Sequence, residues 1–346
     1  MEFQVFFVLL LVSQLLILGK SSVYGRELRL PSEEHGYDDG SKVHPSKTLI
    51  GILSLPKAQT DHPDRSYIAA SYVKFVESGG ARAVPLLYNE PEDSLKKKFS
   101  VISGIVFTGG DANLDGGLYL ETAKKLFSWA IEANDKGDYF PIYGVCLGLE
   151  LLSVIVSGWN MLDACPAHKI ASTVQFVDEA AKSKSVFKWI PNDVLEKMET
   201  ETLVVQNHNW GVKPATYSSI KSLVEFFEVL AVSPDINGDM YISAMQGKNY
   251  PVTAVMFHPE KNAFEWNYDA IPHSSSAIQI TQGIANYFIS EAHKSSHSPT
   301  SREQEDELII NNYNPDYTGK NPLPVSFEEV YYLFLESVEI SKGHLN

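Results

Sequence analysis

The segment "FPIYGVCLGLELLSVIVSG", residues 140–158, decides how this chain folds. Its first six residues are apolar and short enough for a buried parallel strand, and "LGLELLSVIVSG" continues as a helix that stops at Gly158. Cys146 sits at the junction between Gly144 and Gly148. A small thiol in an apolar run is ordinarily core filling. A nucleophile on a sharp strand-to-helix turn instead needs small residues two before it and two after it, and both glycines meet that demand. The start of a helix also favours a thiolate and lowers its pKa.

The same alternation runs outward from this segment. "TLIGILSL" (48–55) reads as a strand, "SYIAASYVKFVESGG" (66–80) as a helix, and "RAVPLLY" (82–88) as a strand weakened by Pro85. "EDSLKKKF" (92–99) is a short helix and "SGIVFTGG" (103–110) a third strand. In "LYLETAKKLFSWAIEA" (118–133) the apolar residues Ala123, Leu126, Phe127, Ala130 and Ile131 recur at helical spacing. Short connections between alternating strands and helices imply right-handed crossovers, so the fold class is α/β, with a doubly wound, mostly parallel sheet flanked by helices. Beyond residue 170 the pattern turns β-rich. "YISAMQGKNYPVTAVMFHPE" (241–260) reads as a hairpin, and residues 274–294 return to helix with Ala277, Ile280, Ile284 and Phe288 on one face. The polar tail ends in "SFEEVYYLFLES" (326–337), where Ser326 and Glu329 have capping-box spacing, the signature of a helix start.

The chain divides into residues 1–25, 26–46, 47–296 and 297–346. The first piece carries an apolar run from Val5 to Leu18, followed by the small residues of "SSVYG". That run suits a signal peptide cleaved near Gly25 and is too short for a comfortable membrane span. Residues 26–46 are a polar, turn-rich lead-in, residues 47–296 the main domain, and residues 297–346 a C-terminal extension. The composition, 44% hydrophobic and 21% charged, is that of a globular protein. A formal net charge of −15 argues against nucleic acid as a partner. Secretory entry would favour a disulfide, yet the chain has only 2 cysteines, and pairing Cys146 with Cys165 would silence Cys146. Sparse cysteine points to a thiol kept free for chemistry.

Acyl transfer at Cys146 would need donors for an oxyanion and a base. The Leu147 amide follows the cysteine, and the loop in "FTGGD" (107–111) offers Gly109 and Gly110 as the second source. Of 10 histidines, His258 stands at the end of the apolar strand "VTAVMF", on the same sheet edge as Cys146. Glu260, two residues on, can hold its tautomer. "DANLDGGLYLET" (111–122) imitates a calcium loop but places Thr122 where a bidentate Glu is required, and no Cys/His spacing makes a metal site. No cofactor or metal is expected.

The motifs "IGILSLP" (50–56), "FTGGD", "YGVCLGLELL" (143–152), "QNHNWGV" (206–212), "VMFHPEKNAFEW" (255–266) and "NYNPDYTG" (312–319) resemble those of the gamma-glutamyl hydrolases, secretory relatives of the class I glutamine amidotransferases. The tail's Asp, Gly and Pro choices resemble the plant members. The resemblance implies an enzyme that hydrolyses the γ-glutamyl bonds of folate poly-γ-glutamates, a small-molecule substrate, through a Cys146 thioester. In that role His258 is the base and then the acid, with Glu260 as the third residue. It further implies that Glu150 contacts the substrate's amino-acid head and that His208 lines the pocket, while Trp266 shapes it by packing. A homodimer and delivery to the vacuole or extracellular space go with the family. The rival readings are a glutaminase supplying ammonia to a partner and a binding module with an idle cleft. A polyanionic substrate on an acidic protein needs local cations, for which Lys169 and Lys261 stand beside motif residues. Activity is expected at mildly acidic pH, where carboxylates repel less.

Overall fold

The computed structural model describes residues 48–56, 65–320 and 327–335, all within one compact unit, Pro45–Asn346. The proposed signal peptide, the lead-in and Ser326 lie outside the described residues. The strands are β1 (Leu49–Leu53), β2 (Leu55–Pro56), β3 (Arg65–Ala69), β4 (Arg82–Leu86), β5 (Gly104–Phe107), β6 (Ile142–Val145) and β7 (Asp163–Ser172). They continue as β8 (Gln175–Phe176), β9 (Val204–Gly211), β10 (Phe227–Pro234), β11 (Met240–Gly247), β12 (Val252–Val255), β13 (Asp316–Tyr317) and β14 (Glu329–Phe334). Four helices matter for the site: α1 (Ala70–Ser78), α2 (Glu92–Phe99), α3 (Leu118–Asp135) and α4 (Leu147–Ser157).

An eight-stranded sheet runs in the order β4-β1-β5-β6-β12-β11-β10-β8. The strands from β4 to β12 pair in parallel, and β11, β10 and β8 add antiparallel pairs. Every residue of β1, β5, β6 and β12 is buried, as a parallel sheet covered on both faces demands. Pro85 is tolerated because β4 is the edge strand of this sheet, where a missing N–H leaves no partner unpaired. The doubly wound reading therefore describes the core, and the hairpin read over residues 241–260 is β11 against β12, with Ala244 opposite Val255.

Register places the site. Phe107 pairs with Gly144, and Ala254 and Val255 pair with Gly144 and Val145, so β5, β6 and β12 end side by side. The loop carrying Gly109 and Gly110, the junction carrying Cys146 and the turn carrying His258 all leave from that carboxyl edge, where open α/β sheets hold their ligands.

Two sequence expectations give way. The helix read over residues 66–80 begins only at Ala70; Arg65–Ala69 is strand β3. The helix start read at Ser326 and Glu329 is also wrong, because Glu329–Phe334 is strand β14. Both corrections have one cause: β14 pairs antiparallel with β3, Val330 opposite Ala69 through Phe334 opposite Arg65, in a second sheet ordered β13-β14-β3-β2. The aromatic and β-branched run "VYYLF" suits a half-buried strand, and a partner in the chain's first third outweighs local capping.

Candidate active site

Cys146 is the residue between β6 and α4. Its backbone adopts φ 51° and ψ −107°, a region a side chain enters only under strain. The strain is held on both sides: the Cys146 N–H donates to the Val255 carbonyl at 2.8 Å, and its own carbonyl accepts from Leu149 and Glu150 in the first turn of α4. The turn leaves no room for larger neighbours. A Cβ on Gly144 would lie 2.8 Å from the Gly148 carbonyl oxygen, and one on Gly148 would lie 2.2 Å from that of Phe107. This is the sharp turn the two glycines predicted.

Gly109 marks where the other groups meet beside Cys146. A Cβ built on it would sit 2.7 Å from His258 Cε1, 2.7 Å from Tyr72 Oη and 3.1 Å from Cys146 Cβ. The imidazole edge and the cysteine thus border one point. His258 is buried at 2% exposure, its backbone N–H donating to the Val205 carbonyl at 3.0 Å. Its Nδ1 lies 2.7 Å from Glu260 Oε1, and its Nε2 has no hydrogen-bond partner. Glu260, fully buried, accepts the Nδ1 proton and so leaves Nε2 with a lone pair.

The electrostatics differ from the sequence expectation. Burial, and then the Glu150 and Glu260 carboxylates, push the Cys146 thiol well above its ordinary value; the Leu147 amide on the sulfur and the Lys261 charge oppose this only in part. Burial holds His258 below its usual value, with Glu260 pulling the other way. Glu260 itself is kept low chiefly by His258, against its own desolvation. Both shifts favour the uncharged forms of the pair, with burial the largest cause for each.

Gly109 and Gly110 part company. The Gly109 N–H donates to Tyr72 Oη at 2.8 Å, so it is already taken, which turns the expectation for the loop's donor to Gly110. Tyr72 Oη also lies 3.4 Å from His258 Nδ1, which ties the glycine loop to the imidazole. Nothing in the sequence singled out Tyr72: it reads as one more apolar-face residue of α1, and its function depends on the far side of the sheet.

Glu150 is 7% exposed, one turn into α4, and its carboxyl is raised to about 8 by burial and then by Asp111. His208, on the β7–β9 ribbon opposite Ala167, is buried edge-on to Tyr241 and held down at about 4 by burial and by the nearby His258. Trp266 is exposed and stacked flat on His273 at 5.2 Å. The two lysines read as groove cations separate: Lys169 is exposed, its Nζ 5.6 Å from the centroid of the Tyr268 ring, but Lys261 is 1% exposed and lines no groove. Cys165 is buried on β7, and both cysteines are free thiols.

A buried thiol on a strained turn, an imidazole with one unpartnered nitrogen close by, a carboxylate behind the imidazole and the Leu147 amide at the sulfur are the equipment of a thiol hydrolase on a doubly wound sheet. Residues 48–260 match the Peptidase C26 family. The chain is 43% identical over 315 residues to gamma-glutamyl hydrolase 1 of Arabidopsis thaliana, covering 87% of this chain and 89% of that protein. It is 42% identical over 302 residues to gamma-glutamyl hydrolase of Glycine max, covering 84% and 87%, and 36% identical over 327 residues to that of Homo sapiens, covering 93% and 97%. The chain belongs to the Peptidase C26 family, among the gamma-glutamyl hydrolases. It is accordingly a hydrolase with a cysteine-dependent γ-glutamyl peptidase chemistry.

Proposed function

We propose that this enzyme cleaves the γ-glutamyl bonds of folate poly-γ-glutamates, with Cys146 as nucleophile and His258 as base and then acid. One observation carries the assignment of roles: His258 has Nδ1 bound to Glu260 and Nε2 without a hydrogen-bond partner, and its Cε1 borders the same point beside Gly109 as the Cys146 Cβ. Because the uncharged forms of the pair are favoured, His258 Nε2 takes the thiol proton as sulfur attacks the γ-carbonyl. The carbonyl π electrons move to oxygen, and the Leu147 and Gly110 amides receive that oxyanion. His258, now imidazolium beside Glu260, gives its proton to the departing amine as the C–N bond breaks. Water then attacks the thioester, losing a proton to the same nitrogen, and the thiol is regenerated as the acid leaves.

A γ-glutamyl peptide bond is an N-substituted form of glutamine's side-chain amide, so such a site needs only a wider leaving-group side to cut it. Glu150 and His208 are the proposed contacts for the glutamyl head. Exposed Lys169 is the local cation that offsets net charge toward a polyanion. The run Val5–Leu18 supports entry into the secretory pathway; the vacuole or extracellular space as destination and a homodimer as assembly are proposed from the family resemblance alone. Among the described residues no helix is long and apolar enough to cross a membrane.

The test is product analysis on a defined pteroyl-pentaglutamate. Wild type is expected to release glutamate or short γ-glutamyl peptides, to leave free glutamine untouched, and to lose turnover on Cys146→Ala. Full turnover by Cys146→Ala would overturn the assignment.

A further inference from the structure

The family match ends at Glu260, yet the groups pressed against that residue's turn come from beyond it. Lys261 is 1% exposed, and its Nζ has no hydrogen-bond partner. An ammonium taken out of water ordinarily keeps an acceptor, since desolvating an unpaired charge is expensive. Here the charge rests instead on an aromatic face: Nζ lies 4.2 Å from the centroid of the Phe327 ring. Phe327 belongs to the C-terminal segment, and the next residue is tied to the same turn, its Glu328 N–H donating to Glu265 Oε2 at 2.7 Å. The segment then enters β14, which pairs with β3 immediately before the helix that carries Tyr72. The C-terminal strand is thus fastened to both sides of the His258–Glu260 pair.

We propose that Lys261, held in place by Phe327 of the C-terminal segment, is a positioning residue whose buried charge balances Glu260 and keeps His258 able to act as a base. The proposal rests on the roles given above to Cys146 and His258. The charges and titratable groups around Lys261 are Glu260 on one side, Glu265 one turn on, and His258 and Cys146 across the pair; its field acts on all four. A buried Glu260 carboxylate alone would draw a proton onto His258 and resist a thiolate. The imidazolium so formed could not accept the thiol proton. A cation next to Glu260 offsets both effects: it makes protonated His258 less favourable and the Cys146 thiolate more so. The aromatic ring supplies an attractive surface without giving the lysine an anion of its own, so its charge remains directed at the pair.

The experiment uses the whole enzyme. Lys261→Met, which keeps the length of the side chain and removes the charge, is expected to move the acid limb of kcat/KM upward by on the order of one pH unit. It is also expected to slow alkylation of Cys146 by iodoacetamide about tenfold at a fixed neutral pH, a readout that needs no substrate. Phe327→Leu keeps an apolar contact while removing the aromatic face, and should shift both readouts the same way by less. It serves as the test should Lys261→Met fail to fold. An unmoved acid limb and an unmoved alkylation rate, in whichever variant folds, would overturn the proposal even if turnover fell, because that pattern belongs to a lysine that only fills space. Failure of the folate reading would instead leave the alkylation result intact.

Discussion

Gly148 lies so close to the carbonyl of Phe107 that a methyl group added to it would fall 2.2 Å from the oxygen. The obstacle is backbone in the middle of a parallel sheet, which cannot swing aside as a flexible side chain would. Gly148→Ala is therefore expected to lower stability by about 3 kcal/mol, the upper range for overpacking a tight site. Thermal unfolding should fall by roughly 5–10 °C, with activity lost as Cys146 shifts. A variant that melts within a degree of wild type would refute the steric account of the turn.

The strain at Cys146 can be measured separately from the chemistry. At φ 51° and ψ −107° a Cβ is disfavoured, and strain of this kind amounts to about 1–3 kcal/mol. Glycine has no Cβ to clash but a more flexible unfolded chain, an offset of roughly 0.5–1 kcal/mol. Cys146→Gly is thus expected to be more stable than Cys146→Ala by about 1 kcal/mol in urea unfolding, both being inactive. The reverse order would show that the turn is not strained.

How much of this was legible beforehand follows the range of the forces involved. The Cys146 turn was readable because its constraint is local: two glycines, two residues either side, between a strand and a helix. His258 was readable because strand ends collect on one edge of a parallel sheet. Tyr72 was not, since a tyrosine on the apolar face of α1 looks like core until Gly109 and His258 are brought to its hydroxyl. Lys261 was misread as a groove cation because a lysine beside a motif reads as exposed, whereas the aromatic ring that covers it comes from Phe327. β14 was misread for the same reason: its partner β3 lies far back in the chain, and only the local capping pattern was visible.

Removing one oxygen tests the link through Tyr72. Tyr72→Phe keeps the ring but takes away the acceptor of the Gly109 N–H, leaving a buried donor unpaired at a penalty of about 1–3 kcal/mol. The loop that presents the Gly110 amide loses its anchor, and small misplacements of an oxyanion donor are felt in the transition state. We expect kcat to fall about tenfold with KM nearly unchanged. A rise in KM at constant kcat would assign Tyr72 to ground-state binding instead.

Glu150 gives the pH dependence. Its carboxyl is raised to about 8 from 4.5, first by burial and then by the Asp111 charge. Ionised, it would raise the nearby Cys146, Cys165 and Tyr119 further. A carboxyl with a higher pKa folded than unfolded binds its proton more tightly in the folded state. Its contribution to stability is complete below pH 4.5 and is lost as pH rises through 8. Glu150→Gln cannot titrate, so the stability of wild type relative to the variant is expected to decline over that window, on the order of 1 kcal/mol per pH unit. Urea unfolding of both proteins at pH 5 and pH 8.5 measures it, and an equal difference at the two pH values would refute it. The same group shapes activity. Neutral Glu150 tolerates a substrate carboxylate, whereas an ionised one repels it and resists the Cys146 thiolate. Wild-type kcat/KM is expected to fall as pH rises through about 8, and Glu150→Gln to lose that basic limb even where its overall rate is lower. A wild-type profile that peaks above pH 8 would show that Glu150 does not meet the substrate in its neutral form.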